Sequence, residues 1–257
     1  MKVSEQLEAQ IMKGMAPIID AIIHQLKERV EIENHRPGRI QKIIASEKDL
    51  HAIKQELNRF ISSSKERLLI EDAILIISEE AKNDIGLKPI VEDIIRAGKL
   101  YHDKLNKEVS EIVVHETLQE WLEISDETLQ GIYTLGSQFY ERHEIKKAIA
   151  LFTLLTLLNN FIFEPWLALG MAYREEKQAF SALQALTQAS LVNLQHPAPH
   201  LYAAELYLQM DPQVLQANPR ELAKQTFEYC LTFLTDKDRV EYESLIVSLQ
   251  NEFGGNL

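Results

Sequence analysis

The feature that most constrains the fold of this chain is a recurrence of residue types at an interval of 34 positions. Large apolar, glycine, aromatic and alanine residues each recur in the same order. The matched pairs are Leu135 and Leu169, Gly136 and Gly170, Phe139 and Tyr173, Ala148 and Ala182, Phe152 and Leu186, and Leu155 and Ala189. A fixed interval of this length indicates stacked copies of one helical unit, each of which contacts its neighbours.

The order of residue types within one interval is typical of the tetratricopeptide repeat (TPR), which is a pair of antiparallel helices. A glycine where two helices cross lets their backbones approach closely, and an alanine on the second helix has the same effect. An ordinary helical bundle with coincidental spacing is the weaker interpretation, because it does not explain the matched pairs. We therefore predict an all-α fold, a TPR superhelix of three helix-pair repeats over residues 126–234, preceded by a helical amino-terminal domain.

The third repeat is altered. Ala204 stands 34 residues after Gly170, but the small and aromatic positions of the second helix begin at Ala223, seven residues later than a strict repeat requires. The seven extra residues fall within the stretch DPQVLQANP, near 211–219. An insertion between the two helices of a repeat emerges in a loop, where added chain costs little. We predict that the repeat is kept and that the insertion is tolerated.

Composition excludes several classes of function. The net charge of −12 argues against nonspecific binding to nucleic acid or to an anionic membrane, since both require dense Lys and Arg. The single cysteine, Cys230, excludes an intrachain disulfide and a cage of cysteine ligands for zinc. The chain shows neither a secretory signal nor an apolar run long enough to cross a bilayer. The sequence therefore predicts a cytoplasmic protein without nucleic-acid binding or membrane insertion.

Motifs for catalysis are missing from the sequence. The eight histidines are scattered, and none belongs to a His-Glu-x-x-His pair. Neither a phosphate-binding glycine loop nor a serine nucleophile elbow is present. We predict no enzyme activity, no catalytic residue, no metal site and no cofactor, and we interpret Cys230 as a buried, inert thiol.

Three stretches of the repeat region resemble the LcrH/SycD-like chaperones of bacterial type III secretion. They are IYTLGSQFYERHEIKKAIALFTLLTLLNNF, EPWLALGMAYREEKQAFSALQALTQASLVN and HPAPHLYAAELYLQM. The proline-rich entry and the Ala-Ala-Glu helix between Pro197 and Glu205 are the most specific part. The resemblance implies a cytoplasmic chaperone that holds an extended apolar segment of a secreted or translocator protein in its concave groove. The alternative is a TPR scaffold, or a regulatory component of a secretion apparatus, that makes stable contacts.

The predicted groove is formed by the first helix of each repeat. Counting three- and four-residue steps from the core positions identifies one face of each helix. The groove residues are Tyr133, Ser137, Tyr140, Leu167, Met171, Arg174, Leu201, Glu205 and Leu208. These side chains predict an aromatic and aliphatic channel with few charges. A clamp for a terminal carboxylate is not expected, because the cationic and amide side chains that such a clamp uses are missing.

Tyr133 and Tyr140 are the first choice for contacts with a client. In the resembled family, the groove receives a short segment with spaced prolines and an apolar residue, and these tyrosines match its aromatic positions. A tyrosine ring stacks on proline while its hydroxyl reaches a peptide carbonyl. The alternative, that one or both tyrosines pack against the preceding helix, remains open.

Residues outside the repeats are predicted as two further parts. Residues 1–125 form a helical domain of unknown role, and residues 235–257 form a carboxy-terminal helix and tail. One amino-terminal helix carries an apolar stripe, with Ile11, Met15, Ile18, Ile22 and Leu26 on one face. The stripe either forms a homodimer, as the resemblance implies, or packs within its own domain. Ser125 or Asp126 is expected to cap the first repeat helix.

Overall fold

The computed structural model describes residues 65–105, 117–215 and 217–254 of the chain. These ranges contain helices and no strand, so the predicted all-α class is confirmed. The helices are α1 (Lys65–Glu80), α2 (Lys88–Leu105), α3 (Leu118–Trp121), α4 (Asp126–Glu141), α5 (Ile145–Leu158), α6 (Phe163–Glu175), α7 (Ala179–Val192), α8 (Pro197–Gln209), α9 (Pro212–Leu215), α10 (Pro219–Leu231), α11 (Asp236–Glu241) and α12 (Glu243–Phe253), with a 3-10 turn at Ile85–Leu87. The predicted apolar stripe from Ile11 to Leu26 lies outside the described residues.

The chain divides into two compact units. In the described ranges, the first unit runs to Gly136 and also includes Thr153–Asn159. The second unit consists of Ser137–Phe152 and the chain from Asn160 onward. The division passes through α4 and α5, so the domain boundaries expected at residues 125 and 234 stay predictions.

Helix pairs make up the second unit. Helix α6 packs against α7, and α8 packs against α10 while also contacting α7 and α6. A Cβ atom built on Gly170 would lie 2.8 Å from Cδ2 of Leu186 and 3.4 Å from its backbone nitrogen. The close helix crossing predicted at Gly170 is therefore present. In the pair that follows, Ala204 and Phe227 are both fully buried.

The insertion in the third repeat has structure of its own. Residues expected in a loop form the short helix α9, in which the Asp211 carboxylate accepts a hydrogen bond from the Gln213 backbone N–H at 2.8 Å. Asn218 then caps α10, because its side-chain oxygen accepts from the backbone N–H of Arg220 at 3.0 Å. A proline at the first position of α10 suits a helix start, since the missing N–H is not needed there.

The carboxy-terminal segment closes the last helix pair. It forms two helices, α11 and α12, rather than the one predicted. Helix α12 packs on α8, and the two helices share one apolar cluster with α10. The buried members of this cluster are Leu201, Ala204, Phe227, Cys230, Ile246 and Leu249. The apolar surface that a following repeat would cover is thus covered by α12, a helix of the same chain.

A backbone feature that the sequence did not reveal also recurs at the repeat interval. His143 and Lys177 have positive φ angles of 60° and 58° in the turns after α4 and α6. In each turn the next residue closes a six-to-one hydrogen bond, from Glu144 N to Phe139 O and from Gln178 N to Tyr173 O, both 2.9 Å. This hydrogen bond defines the Schellman motif at the end of a helix, in which the residue with positive φ is usually glycine.

Replacing Lys177 with glycine is expected to raise the free energy of unfolding by about 0.5–1 kcal/mol, because the left-handed conformation strains a residue with a Cβ atom. Chemical denaturation of the purified chain measures the change. Lys177→Ala is the matched control, since it removes the same side chain and keeps the strain. Equal stability of the two variants would contradict the explanation.

The start of α4 is held by a carboxylate of α2, within the first unit. Oδ2 of Asp93 accepts hydrogen bonds from the Ser125 backbone N–H at 2.9 Å and from the Thr128 hydroxyl at 2.7 Å. The Ser125 hydroxyl donates to the same oxygen at 3.0 Å and accepts from the Thr128 N–H at 3.2 Å. Ser125 is therefore the residue that caps α4, and Asp93 holds the cap in place.

Candidate functional site

A cavity of about 590 Å³ opens in the second unit. Its walls come from the last turn of α6, the middle of α8, the end of α11 and the first turns of α12. The lining residues are Arg174, Tyr202, Glu205, Glu241, Tyr242, Ser244, Leu245 and Ser248. The cavity thus combines first helices of the second and third repeats with the carboxy-terminal helices.

The packing of α8 directs its polar residues into the cavity. Leu201 and Ala204 are fully buried, and each is followed by a half-exposed residue, Tyr202 and Glu205. These two residues are three positions apart, so they share one side of the helix. The helix begins at Pro197, where Nδ1 of His196 accepts a hydrogen bond from the Ala198 N–H at 3.3 Å.

An ion pair bridges α6 and α8 across the cavity wall. Nη2 of Arg174 lies 2.6 Å from Oε2 of Glu205, and the two side chains are 31% and 26% exposed. The Arg174 guanidinium also lies over the Tyr202 ring, 5.4 Å from its centroid. Arg174 therefore has an anion and an aromatic face as partners. Two residues of the predicted groove, Arg174 and Glu205, thus meet in this wall, and the aromatic and aliphatic channel with few charges stays a prediction.

Three tyrosines of the second unit remain neutral phenols at physiological pH. Burial raises the pKa of Tyr202, and the negative charges of Glu205 and Glu241 add to this against the opposing charge of Arg174. Burial, together with the neighbouring Glu241, also raises the pKa of Tyr242. The pKa of Tyr140 is raised by burial first and then by the charge of Glu175. Each phenol can therefore donate a hydrogen bond and offer an apolar ring.

The residues predicted to line the groove lie in several different environments in the structure. All except Leu201 are half-buried; they are Tyr133, Ser137, Tyr140, Leu167, Met171, Arg174, Glu205 and Leu208. Arg174 and Glu205 line the described cavity, and Tyr140 interacts electrostatically with Arg174 and Tyr202. Leu208 packs against the apolar cluster of α8, α10 and α12. Tyr133 belongs to the first unit, so its part in a groove stays a prediction.

Leu201 was wrongly assigned to the groove. Its exposed fraction is 0%, and it lies in the cluster that contains Ile246 and Leu249 of α12. Helix α12 covers the side of α8 that carries Leu201, so this side is not open to a client. Tyr202, the next residue, lines the cavity instead. The repeat pattern does not mark Tyr202 as a binding residue, because the residue 34 positions earlier is Ala168.

Cys230 lies in the protein interior, as predicted. It is fully buried, and burial raises the pKa of its thiol to about 12. Its sulfur lies 3.8 Å from the Pro197 carbonyl oxygen, to which it donates. At neutral pH the group is therefore a protonated thiol without access to solvent, which supports the interpretation of Cys230 as an inert side chain.

The described ranges contain neither a candidate metal site nor a candidate membrane span. Residues 65–105, 117–215 and 217–254 contain no cluster of three or more His, Cys, Asp or Glu side chains that could hold a metal ion. In the same ranges, no helix has both the length and the apolar character that crossing a bilayer requires.

The described helices and the cavity define an all-α protein of the helix-pair repeat class. No protein-family profile and no curated protein sequence matches the chain. Among solved structures, it is similar to a chain of the CopN-Scc3 complex, with 25% identity, 58% of this chain and 84% of that chain covered, and a TM-score of 0.46. It is also similar to the type III secretion translocator chaperone SycD of Yersinia enterocolitica, with 20% identity, 53% and 95% coverage, and a TM-score of 0.45.

Proposed function

We propose that this chain is a cytoplasmic chaperone for a secreted or translocator protein, and that it binds an extended segment of that client beside the first helices of its repeats. The observation that carries the proposal is the 590 Å³ cavity, which is framed by α6 and α8 and closed by α11 and α12. The repeat-region stretches that resemble the LcrH/SycD-like chaperones support the kind of client.

The lining of the cavity suits a peptide in extended form. Such a segment exposes backbone N–H and C=O groups that lose water on binding and need new partners. The hydroxyls of Tyr202, Ser244 and Ser248 can supply them. The tyrosine rings and Leu245 offer apolar surface to a proline or an aliphatic side chain of the client. This mixture adds hydroxyl groups to the aromatic and aliphatic surface expected from the sequence.

Tyrosine truncation tests the proposal. Tyr202→Ala, alone and combined with Tyr140→Ala, is expected to weaken binding of a co-expressed translocator client by about tenfold or more, roughly 1.4 kcal/mol, because aromatic anchors dominate such interfaces. The soluble fraction of the client and calorimetric titration of the purified partners measure the effect. Tyr202→Phe, which keeps the ring, is expected to retain most of the affinity.

Tyr229→Ala is the matched control. Tyr229 is an exposed tyrosine of α10, and its ring contacts His200 and Phe233 at centroid distances of 5.3 Å, away from the cavity lining. Thermal melts establish that each variant is folded. If the cavity variants and Tyr229→Ala solubilise the client equally, binding at this cavity is refuted. A partner that stays bound to all of the variants would favour the scaffold alternative.

A further inference from the structure

We propose that the cavity selects a client segment that carries an arginine or lysine beside its apolar residue. This inference rests on the proposed function and specifies the chemistry of the client at the same site. Its basis is the arrangement of charges and rings in the cavity wall, where one carboxylate has no cationic partner among the described residues.

The charges of the lining do not balance. Its side chains comprise one cation, Arg174, and two anions, Glu205 and Glu241. Arg174 is already paired with Glu205 at 2.6 Å. In the part of the chain that the structure describes, no ion pair is formed by Glu241. The cavity therefore presents one surplus negative charge, in a chain whose net charge is −12.

The rings around this carboxylate add to the attraction for a cation. Glu241 is followed in the chain by Tyr242, and its charge acts on both Tyr242 and Tyr202. A cation near the face of a tyrosine ring gains further stabilisation. The Arg174 guanidinium over Tyr202, at 5.4 Å, shows that the wall already accommodates one such contact. A second guanidinium or an ammonium would bring its countercharge to Glu241.

An acidic client segment fits the same wall poorly. Its carboxylate would have to displace Glu205 from Arg174, which leaves a half-buried carboxylate unpaired. It would also approach Glu241, and like charges brought together across an interface are unfavourable. Cavities of 300–1,000 Å³ usually enclose a ligand of several groups. The volume of about 590 Å³ therefore suits a short segment rather than a single ion.

A random library of 12-residue peptides displayed on phage tests the selection, with the full chain as bait. Peptides retained by the wild-type chain are expected to be enriched about threefold or more in Arg and Lys over Asp and Glu, on the scale of one partly exposed ion pair. Glu241→Gln keeps the shape of the side chain and removes its charge, so it should abolish the enrichment. Glu243→Gln is the matched control, since this exposed carboxylate starts α12 outside the lining.

Synthetic peptides from the selection give the quantitative readout. Replacing the basic residue with citrulline, which keeps the shape of arginine without its charge, is expected to weaken binding about fivefold to the wild-type chain. With Glu241→Gln the two peptides should bind alike. Equal affinities for the wild-type chain, or an Arg preference that survives in Glu241→Gln, would overturn the inference.

The same experiment separates this inference from the proposed function. If peptides bind and Tyr202→Ala weakens them, but no charge preference is found, then the cavity binds clients without selecting basic residues. If the wild-type chain retains no more peptide than Tyr140→Ala/Tyr202→Ala does, then the peptide-binding function fails, and the inference fails with it.

Discussion

Replacing Phe227 with alanine is expected to lower the free energy of unfolding by about 3–5 kcal/mol, the usual cost of truncating a fully buried aromatic residue. Phe227 is 0% exposed and lies in the cluster that joins α8, α10 and α12. Its ring centroid is 5.9 Å from that of Phe253, near the end of α12. The variant therefore loosens the third helix pair and the segment that closes the cavity. Urea denaturation followed by far-ultraviolet circular dichroism measures the loss.

Phe180→Ala is the control for this prediction. Phe180 lies on α7 with 58% of its surface exposed, so its truncation is expected to change stability by only about 0.5 kcal/mol. If Phe227→Ala does not fold, Phe227→Leu, with an expected loss of about 1–1.5 kcal/mol, keeps the comparison measurable. A loss below about 1 kcal/mol for Phe227→Ala would contradict the packing described for this cluster.

Replacing Asp93 with alanine is expected to cost about 2–4 kcal/mol, because a charged acceptor of several hydrogen bonds is removed and its donors are left unpaired. The Asp93 side chain is 13% exposed, and Arg96 also bonds to it. Thr128, one of the donors, is 3% exposed, so its hydroxyl cannot form a replacement hydrogen bond with water unless the start of α4 is disturbed. Glu92→Gln is the matched control on α2. Its carboxylate is exposed, so the substitution is expected to change the free energy of unfolding by less than about 0.5 kcal/mol.

The pH dependence of the Asp93 effect follows from its pKa. Burial acts to raise the pKa of Asp93, but hydrogen bonds from Ser125, Thr128 and Arg96 outweigh it and hold the pKa below its ordinary value. The folded chain then binds this proton less readily than the unfolded chain, so the stabilisation is present above the ordinary pKa of about 4. It is lost as the pH falls through the lowered value of the folded state.

The difference in unfolding free energy between the wild-type chain and Asp93→Asn is the quantity to measure across pH. It is expected to be constant from pH 7 down to about 5 and to shrink below about 4. Denaturation curves at fixed ionic strength measure it at each pH. A difference that stays unchanged at low pH would show that the charge of Asp93 plays no part in holding the α4 cap.

Local patterns in the sequence were sufficient to predict the paired helices of the repeats and part of their packing. The recurrence at 34 residues identified paired helices, because burying one face of each helix requires apolar and small residues at fixed steps. Gly170 was predicted at a helix crossing for the same reason, and its near contact with Leu186 agrees. The sequence predicted Ser125 or Asp126 as the cap of α4, because a side-chain oxygen at a helix start can accept from a nearby N–H, and Ser125 is the residue that does so.

Contacts between distant parts of the chain decided the candidate site. Leu201 is buried and Tyr202 faces the cavity because α12, more than 40 residues later, covers one side of α8. The pairing of Arg174 with Glu205 spans 31 residues, and that of Asp93 with Thr128 spans 35. Such pairs obey no repeat interval, so no pattern in the sequence marks them.

The sequence by itself therefore predicted that the repeat region consists of paired helices, since this depends on periodicity and on side-chain size at close crossings. It did not predict the short helix α9 or the division of the last segment into α11 and α12. Tertiary structure alone decided which polar residues meet and whether a given helix face is open. Which face of a helix is free to bind a partner depends on what else in the chain packs against that helix. Here, the packing of α12 on α8 and the contribution of α11 and α12 to the cavity wall decide which residues of α8 face the cavity.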